Sequence, residues 1–379
     1  MHILLDAIPL NGLMTGISRY VRNLYLELER LSGVTVHYYA GRSCTRKMPV
    51  QTKPGQWMKT TSLVWKLPDP AAFGFRAATW LSYELKVRRL IRRNNFSLYH
   101  ETAFTPSAVR SIPQVFTLYD LSLMKFREMH PKERVWFSDV FLKRRLDYAA
   151  HIITISDFIR SEICDELHLP AEKVTAIPMA PDPFFYPRAR QECEGVIEAL
   201  GLPRDYILFV GTLEPRKNLS LLLKAAECEK DIPIVLVGWE GWGENRWMEI
   251  AKREGLRDRI FTTGHVDEES LACLYSNAMA LVFPSLYEGF GLPVLEAMAC
   301  GCPVICSNVA SLPEVAGDAA LFIDPYDVEG LAMAIGKMVG DTTLRMDLIQ
   351  KGLKRAAEFS WERTAKETLE VFRSVVGQD

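Results

Sequence analysis

No stretch of the 379-residue chain carries the roughly 20 consecutive apolar residues that a membrane-spanning helix needs. No basic segment precedes the first apolar run, MHILLDAIPL. That run holds Asp6 and reads as an opening strand rather than a secretory leader. There is no Cys-x-x-Cys pair among the eight cysteines, Cys44, Cys164, Cys193, Cys228, Cys273, Cys300, Cys302 and Cys306. The close trio Cys300, Cys302 and Cys306 lacks zinc spacing and a neighbouring histidine, so reduced, mostly buried thiols of a cytoplasmic protein are expected. No Gly-x-Gly-x-x-Gly follows the first apolar run, which disfavours a dinucleotide oxidoreductase. An excess of one charge sign is missing too: 45 basic and 47 acidic side chains leave a net charge of −2, unlike a nucleic-acid coat. Hydrophobic residues at 48% and charged residues at 24% exclude a disordered chain.

What is present is length enough for two domains. The near-neutral total conceals a division. Residues 1–190 hold 27 basic and 17 acidic side chains, and residues 191–379 hold 18 and 30. A basic front half and an acidic back half need different partners, or attract each other. Short apolar runs alternate with helical patterns in both halves. The strands expected in the front half are Ile3–Asp6, Val34–Ala40, Leu98–His100, Gln114–Tyr119 and His151–Ile155. In the back half they are Tyr206–Val210, Ile234–Val237, Ile260–Thr263, Ala280–Phe283, Val304–Cys306 and Ala320–Ile323. Several are apolar throughout, as parallel strands covered on both faces should be. Spacing near 3.6 predicts helices over Arg19–Leu31, Lys132–Tyr148 and Asn218–Glu227. The pattern is that of two α/β domains with parallel sheets. Pro178, Pro181, Pro183, Pro187 and Pro203 cluster at the expected boundary, placing the domains at 1–185 and 186–379. A last helix over 361–376 has apolar residues at helical spacing and packs on one domain or crosses back to the other.

The chemistry is concentrated in Pro284–Gly317, PSLYEGFGLPVLEAMACGCPVICSNVASLPEVAG. A strand ends at Pro284, a loop with Gly289 and Gly291 follows, and a helix starts near Leu292 with Pro293 in its first turn. The glycines let backbone approach a ligand closely, and the free amides of a helix start favour an anion such as phosphate. Glu288 and Glu296 bracket this turn, about 12 Å apart on an ideal helix. That span suits two hydroxyl-rich groups either side of a pyrophosphate. Glu296 stands among apolar Val294, Leu295, Ala297 and Met298, so its carboxylate needs a partner.

Glu288-Gly-Phe-Gly-Leu-Pro-Val-Leu-Glu296 resembles the Glu-x7-Glu signature of family 4 retaining glycosyltransferases. MTGISRY at Met14–Tyr20 is similar to the family's loop after the first strand. FVGTLEPRKN at Phe209–Asn218 is similar to its basic donor-domain loop. TGHVDEESLACLYSNA at Thr263–Ala278 is similar to its nucleobase segment, and FSWERTAKETLEVFRSV to its closing helix. Nearly the whole chain takes part, and the O-antigen and polysaccharide mannosyltransferases are the members it most resembles. The resemblance implies a GT-B fold, with two facing Rossmann-like domains and a cleft between. The front domain would hold the acceptor and the back domain the nucleotide sugar.

On that resemblance, Arg216 and Lys217 would neutralise the diphosphate, Glu288 hold sugar hydroxyls and Glu296 ribose hydroxyls. Gly289, Phe290, Gly291 and Leu292 would offer backbone amides. Gly16 and Gly211 would let the donor approach, and His265 and Val266 would flank the base. Tyr119 stands where the family usually has histidine before Asp120; tyrosine is a hydrogen-bond donor but a poor base. The implied reaction moves a glycosyl group, with retention, from a nucleoside diphosphate to an acceptor hydroxyl. GDP-mannose is the expected donor, with UDP-glucose or another nucleotide sugar open. A saccharide or polyprenyl-linked molecule is the expected acceptor. No two aspartates stand at Asp-x-Asp spacing, so neither a metal nor another cofactor is expected. A nucleotide-sugar epimerase and a non-catalytic scaffold of the same fold are the alternatives.

Residues 57–93 carry Trp57, Trp65, Phe73, Phe75, Trp80 and Tyr83, then KVRRLIRR. Basic residues beside aromatics suit an anionic membrane surface or an anionic acceptor, which nominates Arg88, Arg89, Arg92 and Arg93. A peripheral position on the inner face of the cytoplasmic membrane is the matching expectation, and no nucleic-acid partner is expected.

Overall fold

The computed structural model describes residues 1–12, 14–49, 67–103, 105–227, 232–242 and 246–377. Trp57, Trp65 and Cys228 lie outside the described residues. The chain divides into two compact units, 1–179 with 361–379, and 180–360. The division at 179/180 falls within the proline cluster, just before the expected 185/186. The last helix, Trp361–Val376, counts with the first unit.

The first unit is built on a seven-stranded sheet, β1 (His2–Asp6), β2 (Thr35–Tyr39), β3 (Cys44–Thr45), β4 (Leu98–Glu101), β5 (Gln114–Thr117), β6 (His151–Thr154) and β7 (Val174–Ala176). Its order is β3-β2-β1-β4-β5-β6-β7, parallel except where β3 runs against β2. The second unit has six parallel strands, β8 (Ile207–Val210), β9 (Ile234–Val237), β10 (Ile260–Gly264), β11 (Ala280–Phe283), β12 (Val304–Ser307) and β13 (Ala320–Ile323), in the order β10-β9-β8-β11-β12-β13. Each sheet is therefore doubly wound. Its direction of winding reverses between β1 and β4 in one unit and between β8 and β11 in the other. Such a reversal opens a crevice at the carboxyl ends of the strands.

Strands β8, β9, β11 and β12 are buried at every position, which is why their sequences run apolar without alternation. The helix expected at Arg19–Leu31 spans Gly16–Leu28, because Thr15 caps it by accepting from the Ser18 amide. The helix expected at 132–148 is α-helical over Lys132–Arg145 and ends in a 3-10 turn, Leu146–Tyr148. Strands β3 and β7 escaped the sequence reading. They are two and three residues long and sit at the sheet edges, too short to show a period.

The closing helix buries Trp361, Ala365, Leu369 and Phe372. Trp361 meets Tyr20 with ring centroids 6.2 Å apart, Phe372 meets His100 edge-on at 5.1 Å, and Thr364 Oγ1 donates to the Pro178 carbonyl at 2.8 Å. His100 is fully buried between Tyr25 and Thr117, with hydrogen bonds of 2.7 and 2.8 Å. Burial pushes its pKa down to about 3. Nearby in the same sheet, Asp6 is fully buried and accepts from Tyr83 at 2.7 Å and from the Ile8 amide at 3.1 Å. Burial outweighs those bonds and raises its pKa to about 6.

These two groups bias stability in opposite directions. Asp6 holds its proton more tightly when folded, so its contribution is present at low pH and is lost as pH climbs toward 6. His100 resists protonation when folded, so its contribution is present above the ordinary histidine range and is lost as pH falls toward 3. Between about pH 4 and 6 the two slopes oppose each other. In His100→Gln the histidine slope is gone. Its melting temperature, measured against wild type, should therefore fall more steeply as pH rises through that window. Parallel profiles for the two proteins would show that His100 does not titrate with unfolding.

Candidate active site at the reversal point of the second sheet

Strands β8 and β11 are neighbours, and the loops after them meet at the reversal point. After β8 the chain passes Gly211, then enters a 3-10 turn, Pro215–Lys217, and Asn218 in the left-handed region with φ 55°. Asn218 Nδ2 donates to the carbonyls of Pro284, at 3.2 Å, and Pro325, at 2.7 Å. The Leu286 amide donates to the Arg216 carbonyl at 2.9 Å. The basic turn is thus tied to the loop after β11 by backbone and side chain alike.

Those ties bring charged groups together. Lys217 Nζ lies 2.6 Å from Glu288 Oε1, and Arg216 Nη1 lies 3.3 Å from Glu288 Oε2. Arg216 also donates to Glu214 Oε1 at 2.6 Å and to the Tyr287 carbonyl at 2.5 Å. Lys217 Nζ stands 5.0 Å above the Phe283 ring. Glu214 and Glu288 are buried. Burial would raise the Glu288 carboxyl. The charges of Lys217 and Arg216, with the Lys217 hydrogen bond, outweigh burial and hold the pKa below the ordinary glutamate value. Glu288 is therefore a carboxylate at neutral pH.

The glycine loop turns inward from there. Ser311 Oγ donates to the carbonyls of Glu288 and Phe290, both at 2.9 Å, which shapes the loop from behind. Phe290 is buried edge-on against Phe359 at 6.0 Å, so it offers a ligand only its backbone. Gly291 has φ 105°, and a Cβ there would stand 2.6 Å from Leu312 Cδ2. The helix Leu292–Ala299 follows directly, its first turn holding Leu292 and Pro293. Glu296 is buried, and its Oε2 accepts from Tyr275 OH at 3.1 Å. The sequence demanded a partner for that carboxylate without saying which residue supplied it.

Behind Gly211 the backbone packs unusually close. A Cβ on Gly238 would fall 1.9 Å from the Gly211 carbonyl oxygen, so only glycine fits after β9. Trp239 follows, its ring stacked on His265 with centroids 5.1 Å apart. His265 and Val266 are both half-buried after β10, beside Asp267, which caps the next helix through the Ser270 amide at 2.8 Å. Trp239, Glu214, Ser311 and Tyr275 were missed by the sequence reading. For Trp239 the available signal was its position right after an apolar strand and a glycine.

The remaining nominees lie in the first unit. Gly16 is the first residue of its helix, and a Cβ there would meet no atom within 4 Å. No steric need within the described protein explains glycine at that position. Tyr119 follows β5, edge-on to Tyr20 with centroids 5.5 Å apart. Its hydroxyl is buried and makes no hydrogen bond among the described residues. Burial, then the neighbouring Tyr20, Asp6 and Tyr25, push its pKa up, so it remains a neutral donor. Asp120 Oδ1 accepts from the Ser122 amide at 2.8 Å and opens a short helix. Arg89, Arg92 and Arg93 are exposed, whereas Arg88 is half-buried and turned toward Glu84 at 3.8 Å. Among the described residues no group of three or more His, Cys, Asp or Glu is placed to hold a metal ion.

Replacing Gly291 with alanine should force Leu312 or the loop to move and strain the backbone, at about 1–3 kcal/mol. Chemical denaturation of Gly291→Ala checks this, and an unchanged midpoint would show that the loop relaxes freely. Glu288→Ala would leave two partly buried cations with less compensation and should cost about 2–4 kcal/mol in the same assay, which unchanged stability would contradict.

The family model described as "Glycosyltransferase Family 4" matches residues 14–183, and "Glycosyl transferases group 1" matches residues 197–355. The O-antigen chain mannosyltransferase B of Escherichia coli is 40% identical over 265 residues, covering 68% of this chain and 70% of that protein. The MMP alpha-(1->4)-mannosyltransferase of Mycolicibacterium hassiacum is 28% identical, covering 82% and 76%. The serotype-specific mannosyltransferase WbdA of Escherichia coli is 31% identical, and the match spans 30% of its greater length. Among solved structures, a sucrose-phosphate synthase from Thermosynechococcus elongatus superposes with a TM-score of 0.77 at 22% identity, covering all of both chains. WaaG, a glycosyltransferase involved in lipopolysaccharide biosynthesis, superposes with a TM-score of 0.69 at 14% identity, covering 98% and 99%. With both units matched in order and a GT-B fold in its structural neighbours, this chain belongs to the family 4 glycosyltransferases.

Proposed function

We propose that this enzyme transfers mannose from GDP-mannose to a hydroxyl of a saccharide or polyprenyl-linked acceptor, with retention, in the assembly of O-antigen or a similar polysaccharide. The observation that carries the reading is the joining of Arg216 and Lys217 to Glu288 where the winding of the second sheet reverses. That crevice is where open α/β sheets bind nucleotides. The mannosyltransferase names of the relatives support the choice of sugar.

In this reading, Arg216 and Lys217 take up the negative charge that the diphosphate gains as the bond from the anomeric carbon to phosphate breaks. The acceptor oxygen forms the new bond on the same face, and its proton passes to the departing phosphate oxygen. Glu288 orients sugar hydroxyls, and Glu296, positioned by Tyr275, holds the ribose. The amides of Gly289 through Leu292 face the phosphates, while Gly211 and Gly16 leave room for the donor. His265 and Val266 flank the base. Tyr119 donates a hydrogen bond to a substrate oxygen, with Asp120 beside it. The chemistry needs position and charge, which these residues supply without a metal. The enzyme works in the cytoplasm, peripheral to the inner face of the membrane.

Thermal melting with a panel of nucleotides tests the donor. A nucleotide at 100 times its Kd should stabilise the folded state by about 2.7 kcal/mol. GDP should raise the melting temperature more than UDP does, and EDTA should not alter the response. A larger response to UDP would move the donor to a uridine sugar, and no response to any nucleotide would sink the transferase site as drawn. Lys217→Ala should reduce turnover on the order of 100-fold or more, and Tyr119→Phe should reduce it less. Full turnover in Tyr119→Phe would remove that hydroxyl from the site.

A further inference from the structure

The first unit carries a surface apart from the residues given a role in the transfer step. The long helix Asp69–Arg93 and the helix Lys132–Arg145 lie side by side. From Arg76 onward, contacts step along both in the same order, to Glu133, then Phe137 and Phe141, then Arg145. Phe73 meets Trp136 at 6.5 Å, Arg76 binds Glu133 at 2.8 and 3.1 Å, Trp80 packs on Phe137 and Phe141, and Arg145 binds Glu84 at 2.6 Å. The two helices therefore run in the same direction. Their shared seam is held by ion pairs and aromatic packing.

On the long helix the outward residues are sorted along the axis. On the long helix, Phe75 is 52% exposed and Leu85 64% exposed, and Leu81 is exposed between them. On the neighbour, Trp136 and Val140 are exposed one turn apart, with exposed Lys132 before them and exposed Asp139 between them, the latter paired with Arg127 at 2.7 Å. The other exposed residues of the long helix before Leu85 are small and uncharged: Pro70, Ala71, Gly74, Ala78, Thr79 and Ser82. Past Leu85 the outward residues become Lys86, Arg89, Arg92 and Arg93, and past Val140 they become Lys143 and Arg144. Because the helices are co-directional, the apolar ends coincide and the cationic ends coincide. Cations at a helix C-terminus also complement its dipole, but that does not account for the exposed apolar half.

We infer that this two-helix face docks on an anionic phospholipid bilayer, with Phe75, Leu81, Leu85, Trp136 and Val140 entering the interface and the arginines meeting headgroup phosphates. Charge complementarity selects the occupant. Six outward cations adjoin the apolar patch, and the bulky side chains stand proud of a surface of small residues, which suits shallow insertion into lipid. The inference gives a location to the peripheral membrane position in the proposed function and does not depend on the identity of the donor.

Co-sedimentation of the full chain with phosphatidylcholine vesicles, with and without phosphatidylglycerol, tests it at low and high salt. Binding should require the anionic lipid and weaken at high salt. Each arginine removed by Arg89→Glu, Arg92→Glu or Arg93→Glu should weaken binding about fivefold or more. Phe75→Ser with Leu85→Ser should also weaken vesicle binding, while leaving the nucleotide-dependent melting shift and turnover on a water-soluble acceptor unchanged. Failure to bind anionic vesicles at low salt overturns the proposal. Binding that ignores Phe75→Ser with Leu85→Ser overturns insertion. A change in self-association in place of vesicle binding overturns the choice of lipid over a second copy of the chain. The melting shift reports the donor site separately, so either reading can fail alone.

Discussion

The bond from Lys217 to Glu288, reinforced by Arg216, is the constraint on which the second unit's site depends. It joins groups 71 residues apart in the chain. Their meeting requires β8 and β11 to be neighbours, and that adjacency is the point where the sheet reverses its winding. The surrounding features keep this junction in register. Asn218 spans to Pro284 and Pro325, Ser311 holds the loop carbonyls, and the bare Gly238 admits the Gly211 carbonyl. Buried carboxylates and cations are costly apart and tolerable together, so the partners enforce one loop geometry. A site that must aim charge at a transferred group gains from such pre-organisation.

The same arrangement explains why carboxylates stand beside a proposed phosphate site. Arg216 and Lys217 face Glu214 and Glu288, so the nominal charges of the four side chains balance. A diphosphate entering this group adds negative charge, and the cations must divide themselves between carboxylates and phosphates. Glu288 would then face the sugar hydroxyls, for which a carboxylate held ionised below its ordinary pKa is a strong acceptor.

What the sequence revealed follows from how local each signal was. Strands Ile234–Val237 and Ala280–Phe283 match residue for residue, because a central parallel strand covered on both faces is marked by its own apolar run. The start of the helix at Leu292 was legible from Gly291 and Pro293 for the same reason. Glu296 was recognised as a buried carboxylate from its apolar neighbours. Tyr275 was not recognised as its partner, since that contact depends on the packing of two separate helices. The Trp239–His265 stack likewise needs β9 and β10 side by side. The unit to which the closing helix belongs is settled by Trp361 on Tyr20 and Phe372 on His100, contacts that span most of the chain and leave no local trace.

The division of charge between the halves takes a physical form in these contacts. Much of the basic excess of residues 1–190 stands outward at the cationic ends of two co-directional helices, where it is available to a partner. In the acidic half the two cations that matter most point inward, each against a carboxylate. Field strength at the proposed donor site is therefore a local property. Exposed charges are screened by salt beyond about a Debye length, whereas a partly buried pair at 2.6 Å is only weakly screened. Binding at the two places should accordingly respond differently to salt. Attraction of the helical face for an anionic surface decays with ionic strength, while the close contacts that hold Lys217 and Arg216 in aim persist.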